Sequence, residues 1–209
     1  MAWRSFTAAM TCLAMHASAW AVDVRVEVKA PNGEPIANAV VTISGPAVAS
    51  SLRSDGLVMQ QKDLAFSPFV LVVPRGASVS FPNFDQTRHH VYSFSPAGPF
   101  ELKLYGAGET RSVRFTKTGT IAVGCNIHDQ MTAFIRVTDA PWAAVTDKMG
   151  VVELRNVDAG DRLIEVWHPQ QKGSPDATLT STLAVPASGR VSKVVQLTVR
   201  NQLDFHPAY

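Results

Sequence analysis

Gly119-Thr120-Ile121-Ala122-Val123-Gly124-Cys125-Asn126-Ile127-His128-Asp129-Gln130-Met131 is the most informative stretch of this sequence. In an extended strand Ile121, Val123 and Cys125 share one face, so the strand delivers a thiol to the end of a sheet. A tight loop then brings round His128 and Met131. Cys-x-x-His-x-x-Met thus places a thiolate, an imidazole and a thioether within one short turn. Zinc accepts the first two, but a thioether is a soft ligand that favours copper. A further ligand has to come from elsewhere, and Arg88-His89-His90-Val91-Tyr92-Ser93-Phe94 lies upstream at a separation that permits a neighbouring strand end. Two His and one Cys in a trigonal arrangement with a weak axial Met form the blue-copper electron-transfer site. Taken singly, Cys125 reads as a small buried hydrophobe and Met131 as core packing; their joint spacing carries the metal reading.

Working outward, the chain reads as all-β. Val22 to Val28 alternates with period two, Asn32-Gly33 is a tight-turn signal, and Ala37 to Ile43 resumes with β-branched residues, which predicts a hairpin with one buried face. Further strands are expected at Phe69 to Val73, Val79 to Phe81, Val91 to Phe94, Ser112 to Phe115, Ile121 to Cys125 and Ala133 to Val137. After Pro141 the pattern restarts with Gly150 to Leu154, Arg162 to Trp167, Thr180 to Val185 and Val191 to Val199. Regular short strands between Gly/Pro turns argue for sandwiches. A hairpin is too small to be a domain. Its most economical partner is the C-terminal set of strands, which predicts a discontinuous sandwich, residues 22–50 and 139–200, around a middle domain, 56–138. Two sandwiches in tandem are the alternative.

The chain of 209 residues carries a formal charge of +2, with no basic run long enough for a phosphate-binding stripe, which argues against nucleic-acid binding. Arg4, the apolar Ser5 to Met15 stretch and Ala19-Trp20-Ala21 read as a signal peptide over residues 1–21, so the mature protein is expected in the periplasm. No stretch of the mature chain reaches the ~20 apolar residues of a membrane span. Cys12 leaves with the leader, and Cys125 remains as one thiol in an oxidising compartment, a liability unless it is buried, paired or bound to metal. His168 reads as structural, and His206 as part of a tail, 201–209. Met59 and Met149 read as gap fillers. No Ser/His/Asp order, P-loop or dinucleotide fingerprint is evident, and Glu109, Asp85 and Asp129 form no acid/base pair.

Residues from about Met59 to Asp139 resemble the cupredoxins, most closely the plastocyanin and amicyanin type with a short Cys-x-x-His-x-x-Met loop. Val79-Ser80-Phe81-Pro82-Asn83 followed by five residues and His89 reproduces the family's Asn-x5-His spacing. The whole text is similar to that of bacterial plastocyanin-like proteins often labelled methylamine utilization proteins. The resemblance implies a Greek-key β-sandwich holding one type 1 copper on His89, Cys125, His128 and Met131. It implies that Asn83 ties the first-ligand loop to the cysteine loop. It also implies electron exit through His128 to a redox protein such as a c-type cytochrome or a dehydrogenase, with Ile127 and Phe134 as apolar docking surface. The flanking segments resemble carboxypeptidase-regulatory-like (transthyretin-like) domains, through Val26-Glu27-Val28, Gly33, Pro35, Ala37, Ala39-Val40-Val41, Thr146 to Leu154, Asp158-Ala159-Gly160 and Leu163 to Val166.

Three departures stand out. His90 occupies a position where the family usually has Asn, so two adjacent histidines compete for one place. Alternation favours His90, which shares a face with Tyr92 and Phe94, whereas the Asn83 spacing and the His-x-Val pattern favour His89; we follow the spacing. Ile127 stands where close family members often have Pro, and Asp129 follows His128 directly. With four places filled by side chains no open position remains for a substrate, which argues for a non-enzyme. The alternatives are a periplasmic copper carrier or assembly factor, and a binding module with a structural metal.

Overall fold

The computed structural model describes residues 21–46 and 52–200. The leader, Cys12 and the tail with His206 lie outside them, apart from Ala21, where the first strand begins. The strands are, in chain order, β1 (Ala21–Lys29), β2 (Val40–Ile43), β3 (Leu57–Val58), β4 (Gln60–Lys62), β5 (Ala65–Ser67), β6 (Val70–Pro74), β7 (Ser78–Pro82), β8 (His89–Ser93), β9 (Phe100–Tyr105), β10 (Thr110–Arg114), β11 (Gly119–Cys125), β12 (Thr132–Thr138), β13 (Trp142–Val145), β14 (Val151–Asp158), β15 (Gly160–Trp167), β16 (Leu179–Val185) and β17 (Arg190–Gln196). No helix occurs among the described residues, so none is long and apolar enough to cross a membrane.

Two sandwiches result. In one, the sheet β14-β1-β17 faces the sheet β13-β2-β15-β16. Val24, Val26 and Val28 of β1 meet Val41, Ile43, Trp142, Ile164 and Val166 across that core. In the other, the five-stranded sheet β6-β12-β11-β8-β9 faces β10-β7-β3. Phe81, Phe115, Ile121, Val123, Ile135 and Cys125 fill the space between them. The alternation of apolar and polar residues along β1 gives the period-two burial that a half-buried strand requires.

The expected hairpin of β1 with β2 does not form. The tight turn is present, with Gly33 at φ +89° and its N–H donating to the Ala30 carbonyl at 2.9 Å. Beyond it the chain crosses to the opposite sheet: Asn38 adopts φ +60°, and the Ala39 N–H donates to Thr146 Oγ1 at 2.9 Å. β1 instead lies between β14 and β17, and β2 between β13 and β15. The physical reason is the burial of β2 on both faces. Val41 and Ile43 enter one core, whereas Val40 joins Val70, Val72, Phe134, Ala143 and Trp167 in a second cluster between the sandwiches. Only the sheet turned toward the other sandwich offers two dry faces. The short β3, β4 and β5 have two or three residues each, too few for a period to show, and β9 and β13 were not among the expected strands either.

The sandwiches are joined by polar contacts as well. Arg136 Nη1 on β12 lies 2.9 Å from Asp176 Oδ1 and its guanidinium sits 5.6 Å over the Trp167 ring. The same Asp176 oxygen accepts the Thr120 N–H at 2.8 Å, and Trp167 Nε1 donates to the Pro175 carbonyl at 2.7 Å.

His168, beside Trp167, is 3% exposed. Its Nδ1 accepts the Gln170 N–H at 3.1 Å and its Nε2 donates to the Ala37 carbonyl at 3.1 Å, so the neutral ring is fully satisfied. Burial pushes its pKa from the ordinary 6.5 down to about 4, against the smaller opposing effect of the Ala37 carbonyl. The unfolded chain therefore takes up this proton first as the pH falls. Stability conferred by neutral His168 is complete above the unfolded value of 6.5 and declines as the pH approaches 4. The expected loss is roughly 3 kcal/mol over that window. Denaturant unfolding at about pH 7 and about pH 4.5 should show a smaller loss for His168→Gln than for the unsubstituted protein; equal losses contradict the assignment.

Candidate metal centre

The core strand β11 pairs antiparallel with β8, Gly124 opposite Tyr92 and Cys125 opposite Val91. Along β8 the odd-numbered residues His89, Val91 and Ser93 are buried and His90 and Tyr92 are half-buried. His89 therefore shares the inner face with Cys125. Cys125 Sγ lies 3.7 Å from Nδ1 of His89 and 3.7 Å from Nδ1 of His128. The three donor atoms lie within 4.8 Å of one another. His89 and Cys125 are fully buried, and His128 is half-buried.

His90 turns to the other face, where its Nε2 lies 3.0 Å from Glu101 Oε1. It does share that face with Tyr92 and Phe94, whose rings are 5.1 Å apart. The alternation thus grouped the residues correctly, but the more aromatic face is the outer one. Phe94 is 86% exposed. Tyr92 lies across Gly124, where a Cβ would meet its ring and hydroxyl at 3.3 Å. The missing side chain at Gly124 makes room for the tyrosine directly beside the cysteine.

The loop after Cys125 is closed by its own backbone. The Met131 N–H donates to the His128 carbonyl at 2.9 Å and the Cys125 N–H to the Met131 carbonyl at 3.2 Å. Asn126 N–H donates to the His90 carbonyl at 3.0 Å, which ties the cysteine loop to β8. Met131 is fully buried in the same core as Cys125.

Asn83 is fully buried but does not make the link that the resemblance implied. Its Nδ2 donates to the carbonyls of Thr87 at 2.9 Å and Tyr105 at 3.3 Å, and its Oδ1 accepts the Asp85 N–H at 2.9 Å. It braces the 83–89 loop against β9, and the main chain of Asn126 supplies the tie to the cysteine loop instead. Phe134 is likewise not available for docking. It is 8% exposed, with its ring 5.5 Å from Phe69 and 6.1 Å from Trp167, because the second sandwich covers that part of β12. Ile127 is half-exposed, as are Leu64 in the turn after β4 and Phe84 in the loop after β7. Met59 is buried and Met149 exposed, and His168 belongs to the other sandwich.

Asp85 was missed. Its Oδ2 lies 2.8 Å from Nε2 of His89, the nitrogen facing away from the thiol. Burial works to raise its pKa, but the hydrogen bonds with His89 and with the N–H groups of Leu64 and Asp63 outweigh it and hold the carboxyl below the usual range. The signal available was the spacing of four residues to His89, which has no meaning in a loop until the loop's path is known. One thiol and two imidazoles, with no carboxylate among them, make a donor set suited to copper.

No protein-family model matches the chain, and no curated protein matches it. Among solved structures it is similar to a copper-containing nitrite reductase from Thermus scotoductus SA-01, at 30% identity and a TM-score of 0.38. That match covers 44% of this chain and 26% of the reductase, so the chain spans about a quarter of its length. It is also similar to a purple cupredoxin from Nitrosopumilus maritimus, at 19% identity over 39% of this chain and 99% of that one, with a TM-score of 0.36. A reduced Cu(I) amicyanin variant matches at 22% identity over 47% of this chain and 98% of that one, with a TM-score of 0.37.

Because the donors are already gathered, a soft monovalent ion should stabilise the folded chain. Silver(I) at a hundredfold excess over its dissociation constant is expected to add about 2.7 kcal/mol. Thermal melts should show this gain for the unsubstituted protein and for His90→Ala, and its loss in Cys125→Ala and His89→Ala. Retention of the gain in Cys125→Ala contradicts the site.

Proposed function

We propose that the chain is an exported, periplasmic type 1 copper protein that passes single electrons between redox protein partners and catalyses no reaction of its own. His89, Cys125 and His128 would hold one copper ion, with Met131 as the weak axial ligand. The observation that carries this reading is the convergence of both imidazole Nδ1 atoms on one buried thiol sulfur, at 3.7 Å each. Copper bound there would supply a one-electron couple that changes state with little rearrangement of its ligands.

The chain's own residues account for the rest. His89 and Cys125 come from paired strands and Met131 from a loop closed on its own backbone, so the donors stay in place whichever charge the ion carries. Burial of the thiol excludes water and protects it from oxidation. His128 is the ligand nearest solvent and serves as the route for electrons to leave. Ile127, exposed and next to His128 in the chain, would offer an apolar contact to a c-type cytochrome or a dehydrogenase docking there.

The strand ladders support a division of the chain into two sandwiches. Strands of residues 22–50 and 139–200 share ladders only with one another, as do those of 56–138. The first set would act as a transthyretin-like support around the copper sandwich. The half-burial of His128 also suits a copper carrier, in which the ion is handed on through the same opening.

Copper(II) added to the metal-free protein should give an intense thiolate charge-transfer band, and its absence overturns the type 1 reading. Met131→Leu should keep the band and change the reduction potential, because the axial bond is weak. Transfer of copper to an acceptor faster than spontaneous release, without rapid electron self-exchange, would instead favour the carrier.

A further inference from the structure

Asp85 stands behind His89 in a position that a chance contact does not explain. The imidazole presents Nδ1 to the thiol and Nε2 to the Asp85 carboxylate. An Nε2–H donated to the carboxylate leaves the Nδ1 lone pair free for a metal, so the hydrogen bond selects the ligating tautomer.

The carboxylate is itself held. The Asp63 N–H donates to Oδ1 at 2.6 Å and the Leu64 N–H to Oδ2 at 3.2 Å. These two residues form the connection between β4 and β5, with φ of +56° and +57°. Two successive non-glycine residues in the left-handed region are uncommon, and a two-residue hairpin of the primed type is where the backbone requires them. Here the turn directs both N–H groups at one side chain. From the other side Asn83 Oδ1 accepts the Asp85 N–H, and Asn83 is fully buried. The Asp85 side chain is only 11% exposed.

We infer that Asp85, clamped by the Asp63-Leu64 turn, is a positioning residue that fixes His89 as the Nδ1 donor and biases the bound metal toward its higher oxidation state. The inference rests on the copper reading above. A negative charge beside the buried imidazole attracts a doubly charged ion more than a singly charged one, and it strengthens the ligand as a donor. Water and salt screen such an enclosed charge poorly. Glu101 offers a natural contrast. It pairs with His90 in the same manner, but on the outer face and with its side chain 56% exposed, so its charge should be largely screened.

The test measures the Cu(II)/Cu(I) ratio at one fixed applied potential in the copper-loaded full chain and its variants. Asp85→Asn keeps the size and a neutral acceptor. It should retain the charge-transfer band and move the ratio at least tenfold toward Cu(I), about 59 mV for a one-electron couple. Glu101→Gln should stay within twofold, and Asp85→Glu should recover most of the unsubstituted ratio. An Asp85→Asn ratio within twofold of the unsubstituted protein overturns the inference, as does an equal shift in Glu101→Gln. Nitrogen-15 NMR of the diamagnetic silver(I) protein gives a second readout that needs no substitution. His89 should carry a slowly exchanging proton on Nε2, and a proton on Nδ1 overturns the inference even if Asp85→Asn does not fold. A copper(II) protein without the charge-transfer band is a failure of the copper reading, and the tautomer of His89 then still decides whether the clamp exists.

Discussion

The antiparallel pairing of β8 with β11 is the constraint on which the rest of the centre depends. Two facing pairs, Tyr92 with Gly124 and Val91 with Cys125, place the inner face of one strand against that of the other. A slip of one residue in β8 would turn its whole inner set outward, because side chains alternate with period two. His90 would then face the thiol and His89 would meet solvent. The register is held by core packing of Val91 and by the seating of Tyr92 over a residue without a side chain. The cysteine loop adds its own bond to β8 through Asn126.

The five-stranded sheet has two environments on its outer face. Over β6 and β12 it is dry, covered by Val40, Ala143 and Trp167 of the second sandwich. Over β8 it carries His90, Tyr92 and the exposed Phe94. Arg136 marks the boundary of the covered part, held by Asp176 and stacked over Trp167. Burial of this kind restrains β12, and β12 is the strand that leaves the loop of His128 and Met131 at Thr132. The loop is thereby supported at one end by β11, inside the core, and at the other by a strand that both sandwiches hold.

Several features were legible along the chain because they depend on near neighbours only. The Cys-x-x-His-x-x-Met spacing needs one turn, and the strand periods at Ile121 to Cys125 and Ala133 to Val137 need one sheet face. Others were not. The β1 and β2 segments have the turn chemistry of a hairpin, yet burial of Val40 against Val70, Val72 and Phe134 of the five-stranded sheet sends β2 to the opposite sheet. Phe134 has the size of a docking residue but is covered by Trp167. Asn83 does not reach the cysteine loop, because its amide is shared between Thr87 and Asp85 of its own loop and the Tyr105 carbonyl of β9. For β2 and Phe134 a group distant in sequence decides whether a surface is dry or wet, and for Asn83 the path of the loop and of β9 decides where the amide bonds; period and composition carry no record of either.

Local chain chemistry alone prescribed an all-β molecule, a soft donor set and the short loop that gathers a thiol with an imidazole and a thioether, because bond lengths and side-chain period limit what adjacent residues can reach. The choice between His89 and His90 was open at that level, since both imidazoles have the same reach and opposite directions. Packing set His89 beside the thiol by burying the face of β8 that carries Val91 and by leaving the aromatic face outside. Packing also brought Asp85 and the turn at Asp63 and Leu64 behind the buried imidazole. That arrangement joins three separate segments, and only the closed sandwich holds them within hydrogen-bonding distance.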